Sequence, residues 1–232
     1  MSLEILKARL EKTMEKLAGS PYLDRVMSPG FTSKELYAMY MVETYHYTRH
    51  NSRNQALVAT RDENLDPRYM KFCLKHAEEE TGHELMAFHD LKNLGYDITL
   101  EQLPEPLQET KVLIAYLYEV SGKENPLARL GYSFWAEKVY AFIAPLLQMA
   151  SGTMGISKKS MTFFNEHSEI DQEHSKQVDQ AIERFAKTQK DWDDIGNCME
   201  TSLLLTTRMM DAVFEQFVLF KEGKKTRYTF LQ

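Results

Sequence analysis

The sequence predicts an all-α protein of about seven helices. Three observations carry this reading. Only 10 Gly and 7 Pro punctuate 232 residues, and they cluster between long segments. Within those segments apolar residues recur at helical spacing, with no strand-type alternation. Helix-capping residues precede most of them. A chain of this length buries roughly 70% of its extended surface on folding, so one domain over 1–232 is expected without a disulfide framework or structural metal.

Taken in order, the first helix is expected at Leu3–Ala18, before a loop marked by Pro21, Pro29 and Gly30. Thr32-Ser33-Lys34-Glu35 has capping-box spacing, with Thr32 as cap, and opens a second helix to about Thr60. Asp66-Pro67 opens a third, which ends at Gly95, a residue suited to the left-handed position after a helix. Pro104 and Pro106 precede a fourth, about Leu107–Val120. Asn125-Pro126 opens the fifth, which bends at Pro145 and ends by Gly152 and Gly155. Ser157 caps a sixth to about Thr188, and Asp191 caps a seventh to about Lys221. Lys224, Lys225 and Arg227 read as a solvated end.

Composition narrows the function classes. The chain is 43% hydrophobic and 27% charged, which excludes disorder. Lys+Arg number 28 against Asp+Glu 34, for a net charge of −6, which argues against a nucleic-acid partner. Cys73 and Cys198 make neither a disulfide scaffold nor a thiolate zinc site. The start, Met1-Ser2-Leu3-Glu4, has no leader-type apolar core. The longest uncharged stretch, Val139 to Ser157, contains Pro145, Gln148, Gly152 and Gly155, so no membrane span is expected. A cytoplasmic protein is the expectation.

Histidines and carboxylates recur at helical spacing. His167, Asp171 and His174 form H-x3-D-x2-H and fall at about 0°, 40° and −20° on a helical wheel. One stripe then carries three metal-binding side chains of a type suited to Fe, Mn or Zn. Flanking Glu166, Glu169 and Glu173 leave a solvated polar stripe as the alternative. Glu80 and His83 form ExxH, the (i, i+3) pair of helical di-metal proteins, with Glu79 in reserve. A solvated acidic face over Glu78–Glu80 is the alternative here. Glu137 stands in an apolar helix, where a buried carboxylate needs a partner; a surface ion pair beside Lys138 is its alternative. Together the six residues offer three imidazoles and three carboxylates, a set that favours two divalent ions.

This pattern resembles the haem-oxygenase-like di-metal oxidases. Their signature is a Glu and a His on one helix, a Glu on a later one, and H-x3-D-x2-H on a third. Gly95, twelve residues after His83 in Asp90-Leu91-Lys92-Asn93-Leu94-Gly95, is similar to the family's leucine-glycine helix end. Phe31-Thr32-Ser33-Lys34-Glu35-Leu36 is similar to its second-helix opening. The resemblance spans roughly Gly30 to Ile182 and implies a compact seven-helix haem-oxygenase-like bundle, often a homodimer. It further implies an Fe(II) site, with two ions per chain or an Mn/Fe pair, that activates O2. Glu80, His83, Glu137, His167, Asp171 and His174 are then both the ligands and the catalytic centre. Members oxidise fatty acids to terminal alkenes, oxygenate amines or cleave amino acids, and include the chlamydial death-domain-associating protein. Some space the helix-borne Glu and His by seven residues rather than three.

The implied activity is an Fe(II)- and O2-dependent oxidoreductase acting on a small organic substrate: fatty acid, amino acid or amine. Glu43, Tyr47, His50 and Asn54 share a stripe of the second helix and are expected to wall the substrate pocket, with His46 at its edge. His76 is assigned a supporting role beside the ligands, and Arg53 an exposed position. Three rivals stand beside this reading. A ferritin-like di-iron protein would use Glu43 and leave His167 idle. A metal-free relative of thiaminase II or pyrroloquinoline-quinone synthase would bind no iron. A helical interaction module would neither bind metal nor consume O2.

Overall fold

A computed structural model describes the backbone of residues 2–20, 33–123 and 125–231, and the side chains of these except 141, 145–150, 158 and 166–172. The expected loop at Pro21–Gly30, Phe31 and the Thr32 cap lie outside the described residues. Nine α-helices and three short 3₁₀ turns, with no strand, make up the described residues.

Helix α1 (Leu3–Ala18) buries Leu3, Leu6 and Leu10, a one-sided stripe at helical spacing. Helix α2 (Lys34–Thr48) is capped by Ser33, whose hydroxyl accepts from the Leu36 N–H. It is buried along most of its length, as expected for a helix walled in by neighbours. The expected second helix is in fact two. After Thr48 the chain turns at Arg49 and His50, then resumes as α3 (Asn51–Thr60).

The expected third helix is also two, and the interruption falls on the ExxH motif. Helix α4 (Pro67–Glu79) starts at Asp66, which accepts from the Arg68 N–H. Helix α5 (Glu84–Asn93) follows a turn over 80–83. Gly82 takes φ +96° there, a conformation that L side chains rarely adopt. Glu80 and His83 therefore sit on a helix-to-helix joint and not on a continuous helix.

Helix α6 (Gln108–Gly122) matches its expected position within two residues. Helix α7 (Leu130–Met154) begins after a turn over 126–129 and runs through position 145 without interruption. Helix α8 (Thr162–Phe185) lacks the expected Ser157 cap, which is replaced by Asp90 of α5. Asp90 accepts from the backbone N–H of Thr162 at 2.7 Å and of Phe163 at 3.2 Å. Helix α9 (Gln189–Lys221) is capped by Thr188 in a reciprocal box with Asp191, so Asp191 is the third helical residue and not the cap.

At 33 residues α9 is about 50 Å long, and it packs against α1, α2, α6 and α7. Helix α7 packs on both α8 and α9. A Cβ on Gly131 would strike the Ile195 carbonyl oxygen of α9 and lie 2.7 Å from the Met199 nitrogen, so these two backbones meet where only glycine fits. The C-terminal segment is a solvated end at Lys224 and Lys225 only. Lys224 and Lys225 are exposed, but Tyr228 is fully buried and Arg227 donates to the Pro106 carbonyl at 2.9 Å. No described helix is long and apolar enough to cross a membrane.

Candidate metal centre

Four side chains from three helical regions converge in the interior. His76 comes from the last turn of α4 and Glu80 from the joint after it. Glu137 comes from α7 and His174 from α8. One donor atom from each lies within 4.8 Å of all the others. None of the four residues is more than 9% exposed. His76 Nε2 is 3.4 Å from Glu137 Oε1, and His174 Nδ1 is 3.8 Å from both Glu80 Oε1 and Glu137 Oε2.

Local structure explains this convergence. Lys138, the neighbour of Glu137, is turned away to pair with Asp179 of α8 at 2.7 Å and to donate to Ser175 at 2.7 Å. That staple joins α7 to α8 one turn from His174 and faces Glu137 inward. Phe72 stacks on the His76 ring at 5.7 Å, and the His76 and His174 rings are 5.2 Å apart.

The polar atoms are under-satisfied for so buried a place. Both ring nitrogens of His76, Nδ1 of His174 and Oε2 of Glu79 lack hydrogen-bond partners among the described residues. A buried donor or acceptor left unpaired costs about 1–3 kcal/mol, so such a group of orphans marks a site for something else. Burial lowers the proton affinity of His76, and of His174 beside it, holding both rings in the neutral form that ligates metal. Two neutral imidazoles and two carboxylates suit Fe(II), Mn(II) or Zn(II) and balance one divalent charge. The residues present therefore fit a metal ion.

The other predicted residues fall as follows. His83 Nδ1 is 3.7 Å from Glu80 Oε1, on the far side of the joint. Glu79 reaches His174 Nε2 at 3.4 Å and pairs with Lys75 at 3.0 Å. His167 and Asp171 lie upstream of His174 on the same helix, and their side chains are outside the described residues. Tyr47 lines the cavity beside the cluster. Glu43 is fully buried but engaged elsewhere. It accepts from Tyr228 Oη at 2.8 Å, from the Leu107 N–H at 3.0 Å and from the Thr110 hydroxyl. His50 bonds Tyr118 Oη at 3.0 Å, and His46 bonds the Pro104 carbonyl at 2.7 Å. Arg53 is exposed, and Asn54 is buried against Arg129.

The cavity measures about 150 Å³ and is bordered by His76, Glu80 and Glu137. That volume is enough for a benzene-sized molecule. Its walls are mostly aromatic and aliphatic, with Tyr40, Tyr132, Trp135, Phe163 and Phe164 among them. Arg129 also borders it, a residue that pattern reading passed over. Its signal was available: Arg129, Ser133 and Glu137 are spaced four apart, on one helix face.

Residues 38–207, nearly three quarters of the chain, match the family described as iron-containing redox enzyme. The chain belongs to that family. Among solved structures it is similar to a domain of unknown function with a haem oxygenase-like fold from Shewanella denitrificans OS217. The two share 42% identity over 98% of each chain, with a TM-score of 0.92. It is also similar to the TenA homologue of P. horikoshii OT3, at 18% identity and TM-score 0.68 over 92% of this chain and 98% of that one. A TenA family transcription regulator from Silicibacter sp. TM1040 matches at 15% identity and TM-score 0.71, over 92% and 96% of the two chains. These last two likenesses bear on the fold alone. No curated protein matches. The all-α, haem-oxygenase-like architecture expected from the sequence is thus the architecture found, with the two long helices each divided.

Proposed function

We propose that this chain is an Fe(II)- and O2-dependent oxidase or oxygenase acting on a small organic molecule held in the cavity beside His76, Glu80, Glu137 and His174. One observation carries the reading: four buried donor atoms converge within 4.8 Å, and three of the residues that supply them, His76, Glu80 and Glu137, border a cavity of about 150 Å³. Bound iron supplies the one-electron steps toward O2 that no protein side chain offers.

The chain's own residues do the rest. His76, Glu80, Glu137 and His174 hold the ion. A second ion would draw on His83, on Glu79, and on His167 and Asp171 of α8. Phe72 fixes the plane of His76 by stacking, and the Lys138–Asp179 pair fixes α7 against α8, so that Glu137 and His174 keep their separation. Trp135, Phe163 and Phe164 keep the cavity poor in water, which strengthens every polar contact made inside it.

Cysteine chemistry of the thiaminase II type fits less well. Burial pushes the Cys73 thiol up to about 12 and Cys198 up to about 11, so neither is a thiolate at neutral pH. The deciding experiment loads the anaerobic metal-free protein with Fe(II), counts bound iron per chain and follows O2 uptake. One or two tightly bound irons with O2 consumption support the proposal. A folded protein that binds no iron overturns it.

A further inference from the structure

We propose that Arg129 anchors a carboxylate carried by the substrate, and so selects carboxylic acids with a compact apolar body. The inference rests on the cavity being the substrate site. Arg129 is 2% exposed, yet it borders the cavity. It is the one lysine or arginine among the described lining residues. Its Nε donates to Asn54 Oδ1 at 2.7 Å and its Nη1 to Ser133 Oγ at 2.9 Å. Tyr132 lies under the guanidinium, 4.4 Å from ring centroid to the central carbon. All three partners are neutral. No carboxylate pairs with Arg129 among the described residues, and Nη2 has no acceptor there.

A guanidinium cannot shed its proton, so an arginine this buried must be matched by an anion or carry the full cost of desolvation. Glu80 and Glu137 border the same cavity, but a metal ion would claim their charge. What then remains at this end of the cavity is a fixed fork of donors, held by Asn54 and Ser133, with one edge open. That is the arrangement that receives a carboxylate.

Position gives the rest of the substrate. Because Nη1 reaches Ser133, the guanidinium lies against the first turn of α7, and Glu137 follows one turn on, a rise of about 6 Å. Farther along α7 than Glu137 the lining includes Val139 and Ile143, and Leu17 and Met210 add to the apolar wall. A carboxylate on Arg129 therefore presents a carbon roughly three or four bonds away, at about 1.5 Å per bond, to the level of the metal centre. The apolar remainder points toward Ile143. Oxidation takes place away from the carboxylate, which the product keeps.

The test measures binding of phenylacetate and of its neutral isostere phenylacetamide by calorimetry, using anaerobic Fe(II)-loaded protein and metal-free protein. The expected result is that the Fe(II)-loaded wild type prefers the acid by about tenfold or more. In R129Q that preference disappears, while amide affinity and bound iron are unchanged. R129K, which keeps the stem and the charge, is the second variant and retains part of the preference. If R129Q retains the full acid preference, iron itself captures the carboxylate and the proposal fails. It also fails if the wild type binds acid and amide alike, or if both variants lose acid and amide affinity equally, which would make Arg129 a support for the fold. Failure of iron loading, by contrast, strikes the proposed function and is read from metal content alone.

Discussion

Asp90 holds the start of the helix that carries His174: its Oδ1 accepts from the Thr162 N–H at 2.7 Å and from the Thr162 hydroxyl at 2.6 Å. Its Oδ2 accepts from the Phe163 N–H at 3.2 Å and from Tyr37 Oη at 2.8 Å. A cap supplied from another helix links local order to tertiary packing. Asp90→Ala removes the acceptor of four hydrogen bonds and is expected to cost about 2–4 kcal/mol, read as a lower urea midpoint. Iron affinity should fall with it, because α8 loses its fixed origin.

Glu43 offers the opposite behaviour. Its carboxylate joins α2 to the start of α6 and to Tyr228 near the C-terminus. Glu43→Gln is expected to lower stability by about 1–3 kcal/mol and to leave iron per chain unchanged. Iron lost from a folded Glu43→Gln protein would instead favour a ferritin-like ligand set. Equilibrium unfolding and metal analysis on one preparation give both readings.

Removing His76 should act on the metal and not on the fold. His76→Ala deletes a ring with two unbonded nitrogens, so the hydrogen-bond loss is small while one donor of the cluster disappears. Expected are weaker Fe(II) binding by about tenfold or more, the scale of a lost ligand or its support, and a helical spectrum close to wild type. His50→Ala, which breaks a bond to Tyr118, is expected to bind iron normally.

Metal loading should itself stabilise the protein. An ion that binds only the folded state contributes about 2.7 kcal/mol at a free concentration one hundred times its Kd. Anaerobic Fe(II) is therefore expected to raise the Tm, and a chelator to reverse the gain. No shift in Tm with saturating Fe(II) would contradict the centre.

Close approach of α7 and α9 predicts a sharp response at Gly131. Gly131→Ala pushes a methyl group into the Ile195 carbonyl, a backbone atom that cannot swing aside. A loss of about 1–3 kcal/mol is expected, seen as a lower thermal midpoint.

Much of the architecture was legible in the sequence, because its signals are local. The stripe of Leu3, Leu6 and Leu10 and the Asp66-Pro67 start set their helices without help from elsewhere. Two interruptions were not read. The one at 80–83 did leave a trace in Gly82, but a lone glycine inside a periodic run also occurs in unbroken helices. The turn at Arg49 and His50 has neither Gly nor Pro, so distant packing, including the His50–Tyr118 contact, decides it. The site divides in the same way. Glu80, Glu137 and His174 stood out as metal-type residues in helical context, and the fold brings them together. His76 was given only a supporting role, because nothing local told it apart from a second layer. Glu43 gave a false lead, since its partner Tyr228 lies 185 residues away. Arg129 left only a weak trace, its spacing of four from Ser133, because most arginines are solvated and its burial depends on Asn54 of α3.

The joint between α4 and α5 carries one more implication. Ligands on an unbroken helix can change their separation only in steps that return to the same face, three, four or seven residues apart. Glu80 and His83 are freed from that arithmetic, because Gly82 parts the helix between them. Residues can be gained or lost at this elbow without rotating either helix axis. The fold thus has a point of adjustment at its centre, where the spacing of Glu80 and His83, both proposed above to hold metal, can drift while the surrounding scaffold stays the same.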